Sequence, residues 1–154
     1  MTTYYFDSSG IVKKYVAEAG STWVVTITDP ASQNEIFTSL ISGAEVVAAI
    51  CRRGQIGSIT PQDVTRALAA FKGDFRINFI VLHIFDRIID QAMALAEKHG
   101  LRGYDAVQLA TAVNFHAKRS SNNLPPLVFV SADDKLNAAV QAEGLLVENP
   151  SNYP

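Results

Sequence analysis

The chain carries one cysteine, Cys51, so it can neither close a disulfide on itself nor build a zinc site from several thiolates. A lone thiol suits a reducing compartment, and the expected location is the cytoplasm. No apolar run approaches the ~18 residues of a membrane span. The opening residues, Met1-Thr2-Thr3-Tyr4-Tyr5-Phe6-Asp7, lack the basic start and long apolar stretch of a secretory signal. Excess charge is missing too. Thirteen basic against fifteen acidic residues leave a net charge of -2, which excludes a bulk basic surface for nucleic acid while allowing a local basic patch beside an acidic site. There is no glycine-rich phosphate loop of the Walker type. His83, His99 and His116 show no metal-ligand spacing. Repeats, low-complexity runs and linkers are also absent.

What remains is a globular composition, 48% hydrophobic and 18% charged over 154 residues. That length suits a single domain spanning 1–154, and it buries roughly 68–70% of the unfolded chain's surface. Strand-like and helix-like segments alternate. Strands are expected at Thr3–Phe6, Glu35–Thr38, Phe79–His83, Leu127–Val130 and Leu145–Val147. Helices are expected at Ser9–Val16, Leu40–Arg53, about Pro61–Lys72, Arg87–His99, Tyr104–Lys118 and Lys135–Ala142. Thr60-Pro61-Gln62-Asp63 reads as a capping box with proline at the first helical position, and Gly100 as a helix stop. The segment Gly20–Asp29 is ambiguous, because Trp23-Val24-Val25-Thr26-Ile27 favours a strand where a crossover helix belongs. Alternation of this kind implies right-handed crossovers, a mainly parallel sheet and helices on both faces. Ligands of such sheets bind beyond the carboxyl ends of the strands.

That rule directs attention to the acids. Asp7 follows the first strand, where it could cap a helix, although Ser8 and Ser9 could cap equally well. Glu45 sits in Leu40–Arg53, whose apolar residues occupy nearly every side, so the helix is expected to be buried. A carboxylate there must be paired, protonated or bound to a cation, and Arg52 and Arg53 lie too far along the helix to pair with it. Asp105 opens a helix, where a carboxylate also complements the dipole. After the fourth strand, Ser131 is expected to cap with Asp134 as reciprocal partner, which leaves Asp133 free. Asp63, Asp74, Asp86, Asp90, Glu97, Glu143 and Glu148 read as capping or solvent-facing. Cys51 reads as core. Several carboxylates converging from separate elements repel one another unless a cation joins them. Oxygen ligands of this kind suit Mg²⁺.

These pieces resemble the PIN domain, most closely the VapC-type toxin ribonucleases of prokaryotic toxin–antitoxin pairs. The resemblance rests on Tyr5-Phe6-Asp7-Ser8-Ser9 with Val12-Lys13-Lys14-Tyr15, on Thr38-Ser39 followed six residues later by Glu45, on Gly103-Tyr104-Asp105-Ala106-Val107-Gln108-Leu109-Ala110, and on Phe129-Val130-Ser131-Ala132-Asp133. It implies a three-layer α/β/α fold around a five-stranded parallel sheet, and an endoribonuclease dependent on Mg²⁺ or Mn²⁺. Asp7, Glu45, Asp105 and Asp133 match the family's acidic positions, with Asp7, Asp105 and Asp133 as metal ligands. Ser8 and Ser131 match supporting polar positions, Ser131 orienting Asp133 or a water. It further implies RNA as substrate, a cognate antitoxin as partner and a homodimer. Lys13, Lys14, Arg52, Arg53 and Arg102 lie near the acids in sequence and are candidates for gripping RNA phosphates.

Other classes fit less well. A haloacid-dehalogenase phosphatase needs a second Asp where this chain has Ser9. A receiver domain needs a phosphoacceptor after the third strand, and Phe79–His83 ends without one. The remaining alternatives are a catalytically silent PIN-like binding or scaffolding protein and a nuclease of the same fold acting on DNA.

Overall fold

The computed structural model describes residues 1–154. Five short strands, β1 (Thr3–Phe6), β2 (Glu35–Ser39), β3 (Ile80–Leu82), β4 (Val128–Val130) and β5 (Leu146–Glu148), form one sheet in the order β3-β2-β1-β4-β5. Every pairing is parallel, and Tyr5 is in register with both Phe37 and Phe129. The helices are α1 (Ser8–Ile11), α2 (Ser21–Ile27), α3 (Ser42–Gln55), α4 (Pro61–Ile77), α5 (Asp86–His99), α6 (Gly103–Ser121) and α7 (Asp134–Ala142).

Alternation along the central strands divides the core in two. Tyr5, Phe37 and Phe129 pack with Ile88, Leu95, Leu109 and Leu136 beneath α5, α6 and α7. Phe6, Ile36 and Val130 point to the opposite face and pack with Ile11, Val24, Val46, Ile50 and Phe71 beneath α1 to α4. The α/β/α layering follows from burying both faces of a parallel sheet. The chain moves outward from β1 to β3, then returns to place β4 on the other side of β1. The order therefore reverses between β1 and β4, and their carboxyl ends flank the crevice where such sheets bind ligands.

Local signals explain most element ends. Thr60 and Asp63 form both bonds of the capping box at the start of α4. Gly100 ends α5 with a φ of 63°. At four places the structure corrects an expectation or settles an open one. The helix expected at Ser9–Val16 is α1 followed by a 3-10 turn at Val12–Lys14, where Lys13 turns back to donate to the Ala19 carbonyl. The β-branched segment is helical as α2, because Val24 and Ile27 are buried and Trp23 stacks on Tyr153 at 4.5 Å. Packing outweighs propensity there. Gly20 admits this helix. Its φ is 86°, and a Cβ would collide with the Pro150 carbonyl.

The third such place is α3, which buries only the stripe Ser42, Val46 and Ile50 and leaves Ala44 and Ala48 exposed. It is not buried all round, because its second apolar face lines an open cleft. Cys51 on the same helix is half-buried, not core. No helix is long and apolar enough to cross a membrane.

Candidate active site

Asp7 extends from the carboxyl end of β1 and is 3% exposed. Its backbone N–H donates to the Val130 carbonyl at 3.1 Å, which fixes it beside β4. One carboxylate oxygen, Oδ1, accepts from Ser9 Oγ at 2.8 Å and from the Gly10 N–H at 3.0 Å. Asp7 is thus the N-cap of α1, buried between the carboxyl ends of β1 and β4. The other oxygen, Oδ2, accepts from Ser131 Oγ at 3.2 Å. Gly10 permits this geometry, since a Cβ would press on the Val130 carbonyl at 2.9 Å.

Two serines tie the ends of β1 and β4 together. Ser131 Oγ, donating to Asp7, also accepts from the Asp133 N–H at 3.1 Å. Ser9 Oγ, donating to Asp7, accepts from the Ala132 N–H at 2.9 Å. Ser131 is therefore not the cap of α7. Asp133 fills that role by accepting from the Leu136 N–H, while Asp134 turns outward to Asn149. The expected Ser131–Asp134 reciprocal cap fails because the Ser131 hydroxyl is drawn back to Asp7. The outer oxygen of Asp133 remains available and lies 3.6 Å from Arg102.

Glu45 enters from α3. Its Oε1 accepts from Gln108 Nε2 at 2.7 Å. The same amide donates to Ser42 Oγ at 2.9 Å, and its oxygen accepts from Tyr5 O–H at 2.7 Å. Gln108 is 1% exposed, so its amide is a fixed buried link between β1, α3 and α6. Sequence reasoning assigned Gln108 no role, nor Ser9 one beyond capping. The available signal for Gln108 was a polar residue three positions after Asp105, on the apolar face of α6. Asp105 stands in the first turn of α6 and receives Arg102 Nε at 3.2 Å.

Electrostatics separate these acids from ordinary surface carboxylates. Burial pushes the Asp7 carboxyl up to about 7, against the opposing hydrogen bonds from Ser9, Gly10 and Ser131, and the charge of Glu45 adds to the rise. Burial also raises Glu45, with Gln108 opposing and Asp105 adding to the shift. The charge of Glu45 thus acts on Asp7, and that of Asp105 on Glu45. The cation at this site is Arg102, exposed at the rim, whose guanidinium faces both Asp105 and Asp133.

The expected basic residues fall into three groups. Arg52 and Arg102 are exposed and line the cleft next to Glu45 and Asp105. Lys13 and Arg53 line an adjoining pocket, where both are tied to Glu18, at 3.5 and 3.1 Å. Lys14 is bound to Asp74 at 2.9 Å, in a different cluster. Ser8 lines both pockets.

The donor set is all oxygen, which fits a hard divalent cation. The guanidinium spanning Asp105 and Asp133 marks where positive charge is already accepted. No three acidic, histidine or cysteine side chains lie close enough to enclose an ion. The arrangement is open, of the kind that suits Mg²⁺, which keeps several waters and takes one or two carboxylates directly.

The family model for the PIN domain matches residues 4–140. Ribonuclease VapC45 of Mycobacterium tuberculosis is 28% identical over 147 residues, covering 96% of this chain and 95% of the relative. The crystal structure of PAE2754 from Pyrobaculum aerophilum superposes with a TM-score of 0.63 at 17% identity, covering 98% of this chain and 91% of the other. VapBC2 of Rickettsia felis, solved bound to a fragment of its promoter DNA, superposes with a TM-score of 0.60 at 15% identity over 96% and 97% of the two chains.

Proposed function

The chain belongs to the PIN domain family, and from that premise we propose that it is a divalent-metal-dependent endoribonuclease, the toxin of a toxin–antitoxin pair. The observation that carries this reading is a crevice at the β1/β4 switch point where burial holds Asp7 and Glu45 above the usual carboxylate range with no buried cation beside them. Such a site is completed by positive charge from outside. The name of the M. tuberculosis relative supports the ribonuclease part, and a solved toxin–antitoxin complex from Klebsiella pneumoniae, with a TM-score of 0.54 at 20% identity, supports the antitoxin part.

Asp7, Asp105 and Asp133 are the proposed positions that would hold Mg²⁺ or Mn²⁺, one or two of them directly and the rest through bound water, since no three acids lie close enough to enclose an ion. When bound, such an ion would supply positive charge opposite the phosphoryl transition state and would ease deprotonation of an attacking water. Glu45, fixed by Gln108, orients or deprotonates that water. Ser131 holds the Asp7 carboxylate and the Asp133 backbone in one register, and Ser8 lines the cleft beside them. Arg52 and Arg102 grip phosphates of the RNA. Lys13 and Arg53 join them only where phosphate displaces Glu18.

The proposed partners are RNA, an antitoxin and a second copy of the chain. An antitoxin arginine or lysine would satisfy Asp105 and Asp133 as Arg102 does here. Exposed Ile89 and Met93 on α5 offer apolar surface to a protein partner.

The test is cleavage of matched single-stranded RNA and DNA with Mg²⁺ or Mn²⁺, with and without chelator. RNA cleavage abolished by EDTA is expected. Cleavage undiminished in excess EDTA would overturn the metal mechanism, and preferential cutting of DNA would move the protein to the other nuclease class.

A further inference from the structure

The cleft continues past the carboxylates, and its outer part has a different chemistry. Glu45 and Asp105 border a slot of about 430 Å³. One side is α3, which presents Ala44 and Ala48 with Ile41 beside them. Another is Tyr104 at the start of α6, a large aromatic left 65% exposed. Arg52 and Arg102 also line the slot.

Ile41, Ala44, Ala48 and Tyr104 belong to neither side of the core. An apolar helix face is normally buried, yet Ala44 and Ala48 are exposed. Methyl side chains one helical turn apart make a shallow wall, without the bulk that leucine or lysine would put there. Tyr104 adds an aromatic face beside this wall. A planar ring fits such a slot, and the cations suit an anion attached to that ring. The carboxylates exclude a free anion from the inner end.

We propose that this slot binds one unpaired nucleobase of the RNA between Tyr104 and the alanine face of α3, with Arg52 and Arg102 on the neighbouring phosphates. Aromatic side chains stack on any exposed base in this way. A base inside a duplex is already stacked and paired, so the slot selects RNA that is single-stranded next to the cut. The assignment rests on the ribonuclease reading for its substrate, and it adds which part of the substrate is held and by which residues.

The test has a binding arm and a cleavage arm. Labelled single-stranded oligoribonucleotides of mixed sequence, intact or with one abasic residue at successive positions, are titrated in chelator and followed by anisotropy. The same RNAs are then cleaved with Mn²⁺. Loss of one particular base is expected to weaken wild-type binding about ten-fold or more. Tyr104→Ala should weaken binding of intact RNA by a similar factor and should no longer distinguish that abasic RNA from the intact one. Ala48→Phe, which fills the slot from an exposed position, should do the same without lowering the melting temperature. Equal affinity for intact RNA and every abasic RNA would overturn the slot, as would absence of RNA binding. If Tyr104→Ala changed only the oligomeric state, the residue would belong to a protein interface and the slot would fall. Base-dependent binding without cleavage would leave the slot standing and remove the ribonuclease reading. Cleavage without base dependence would do the reverse.

Discussion

Asp7 and Asp74 are both shielded carboxylates with three donors around them, yet their environments push them in opposite directions. Asp7 receives two serine hydroxyls and a backbone N–H, all neutral, and burial lifts it to about 7. Asp74 receives Tyr15 O–H at 2.6 Å, the Asn78 amide at 2.6 Å and the Lys14 ammonium at 2.9 Å. Burial pushes Asp74 up as well, but these partners outweigh it and hold the carboxyl below its ordinary value. The difference is the counterion. Where a carboxylate joins two parts of the fold, here the turn after α1 and the helix α4, the chain supplies a lysine to it. Where the carboxylate stands at the strand ends beside β4, only neutral groups orient it. Sequence reasoning had placed Asp74 among capping and solvent-facing acids, and the structure corrects this.

The largest expected effect breaks the comparison directly. Asp7→Asn should reduce RNA cleavage by about 10²-fold or more, with a metal-free melting temperature no lower than wild type. Asp74→Asn should leave cleavage near wild type and cost about 1–3 kcal/mol, because Lys14 loses its charged partner. Cleavage assays and denaturant melts of both variants check this, and a silent but fully stable Asp74→Asn protein would contradict it.

A smaller effect is expected at Gln108. Gln108→Leu removes the amide that positions Glu45 and should lower cleavage about 10–100-fold, as loss of an outer orienting group does. Affinity for RNA should change little, so the loss should appear in kcat rather than KM.

The pH dependence of metal-free stability sharpens the contrast further. The folded Asp7 keeps its proton up to about 7, whereas the unfolded one releases it near the ordinary value of about 4. The unfolded state therefore binds fewer protons between these limits, and Asp7 makes stability in EDTA fall as pH rises through that window. Asp7→Asn should flatten this slope, and Mg²⁺ should offset it near neutrality. Asp74 works in the other sense. Its folded value is lowered, so its contribution is present above the ordinary carboxylate range and is lost on acidification below it. Asp74→Asn should remove part of the acid limb only. Denaturant melts across pH with each variant read the two slopes separately.

The smallest effect is expected at the rim. Arg102 is largely exposed, so Arg102→Gln should change stability by no more than about 0.5 kcal/mol. It should weaken RNA binding and reduce the slope of log affinity against log salt by about 0.7, one phosphate contact on a single strand. An unchanged salt slope would remove Arg102 from the phosphate grip.

Much of the fold was legible because its signals are local. The capping box at Thr60 and Asp63, the stop at Gly100 and the β-rich runs act within a few residues. Asp7, Asp105 and Asp133 stand out because each follows or opens an element at the end of the sheet where ligands bind, and Glu45 because it is a carboxylate on an apolar helix. Other features were not legible, since they depend on what arrives from far away in the chain. The helix α2 forms against its β-branched composition because a core and Tyr153 receive it. The role of Gln108 depends on Tyr5 and Glu45, 103 and 63 residues distant.

The sequence by itself determined the order of elements and the parallel α/β class, because periodicity, caps and turn chemistry are short-range, and it pointed to four acids as candidates. Only the tertiary structure decided which groups hold those acids. It made Ser131 a bridge rather than a cap, gave Asp133 the cap and left one face of α3 open. A hydroxyl or an amide satisfies its hydrogen bonds with whichever partner packing brings within reach, and across β1, β4, α3 and α6 that partner is set by the assembled sheet and its helices.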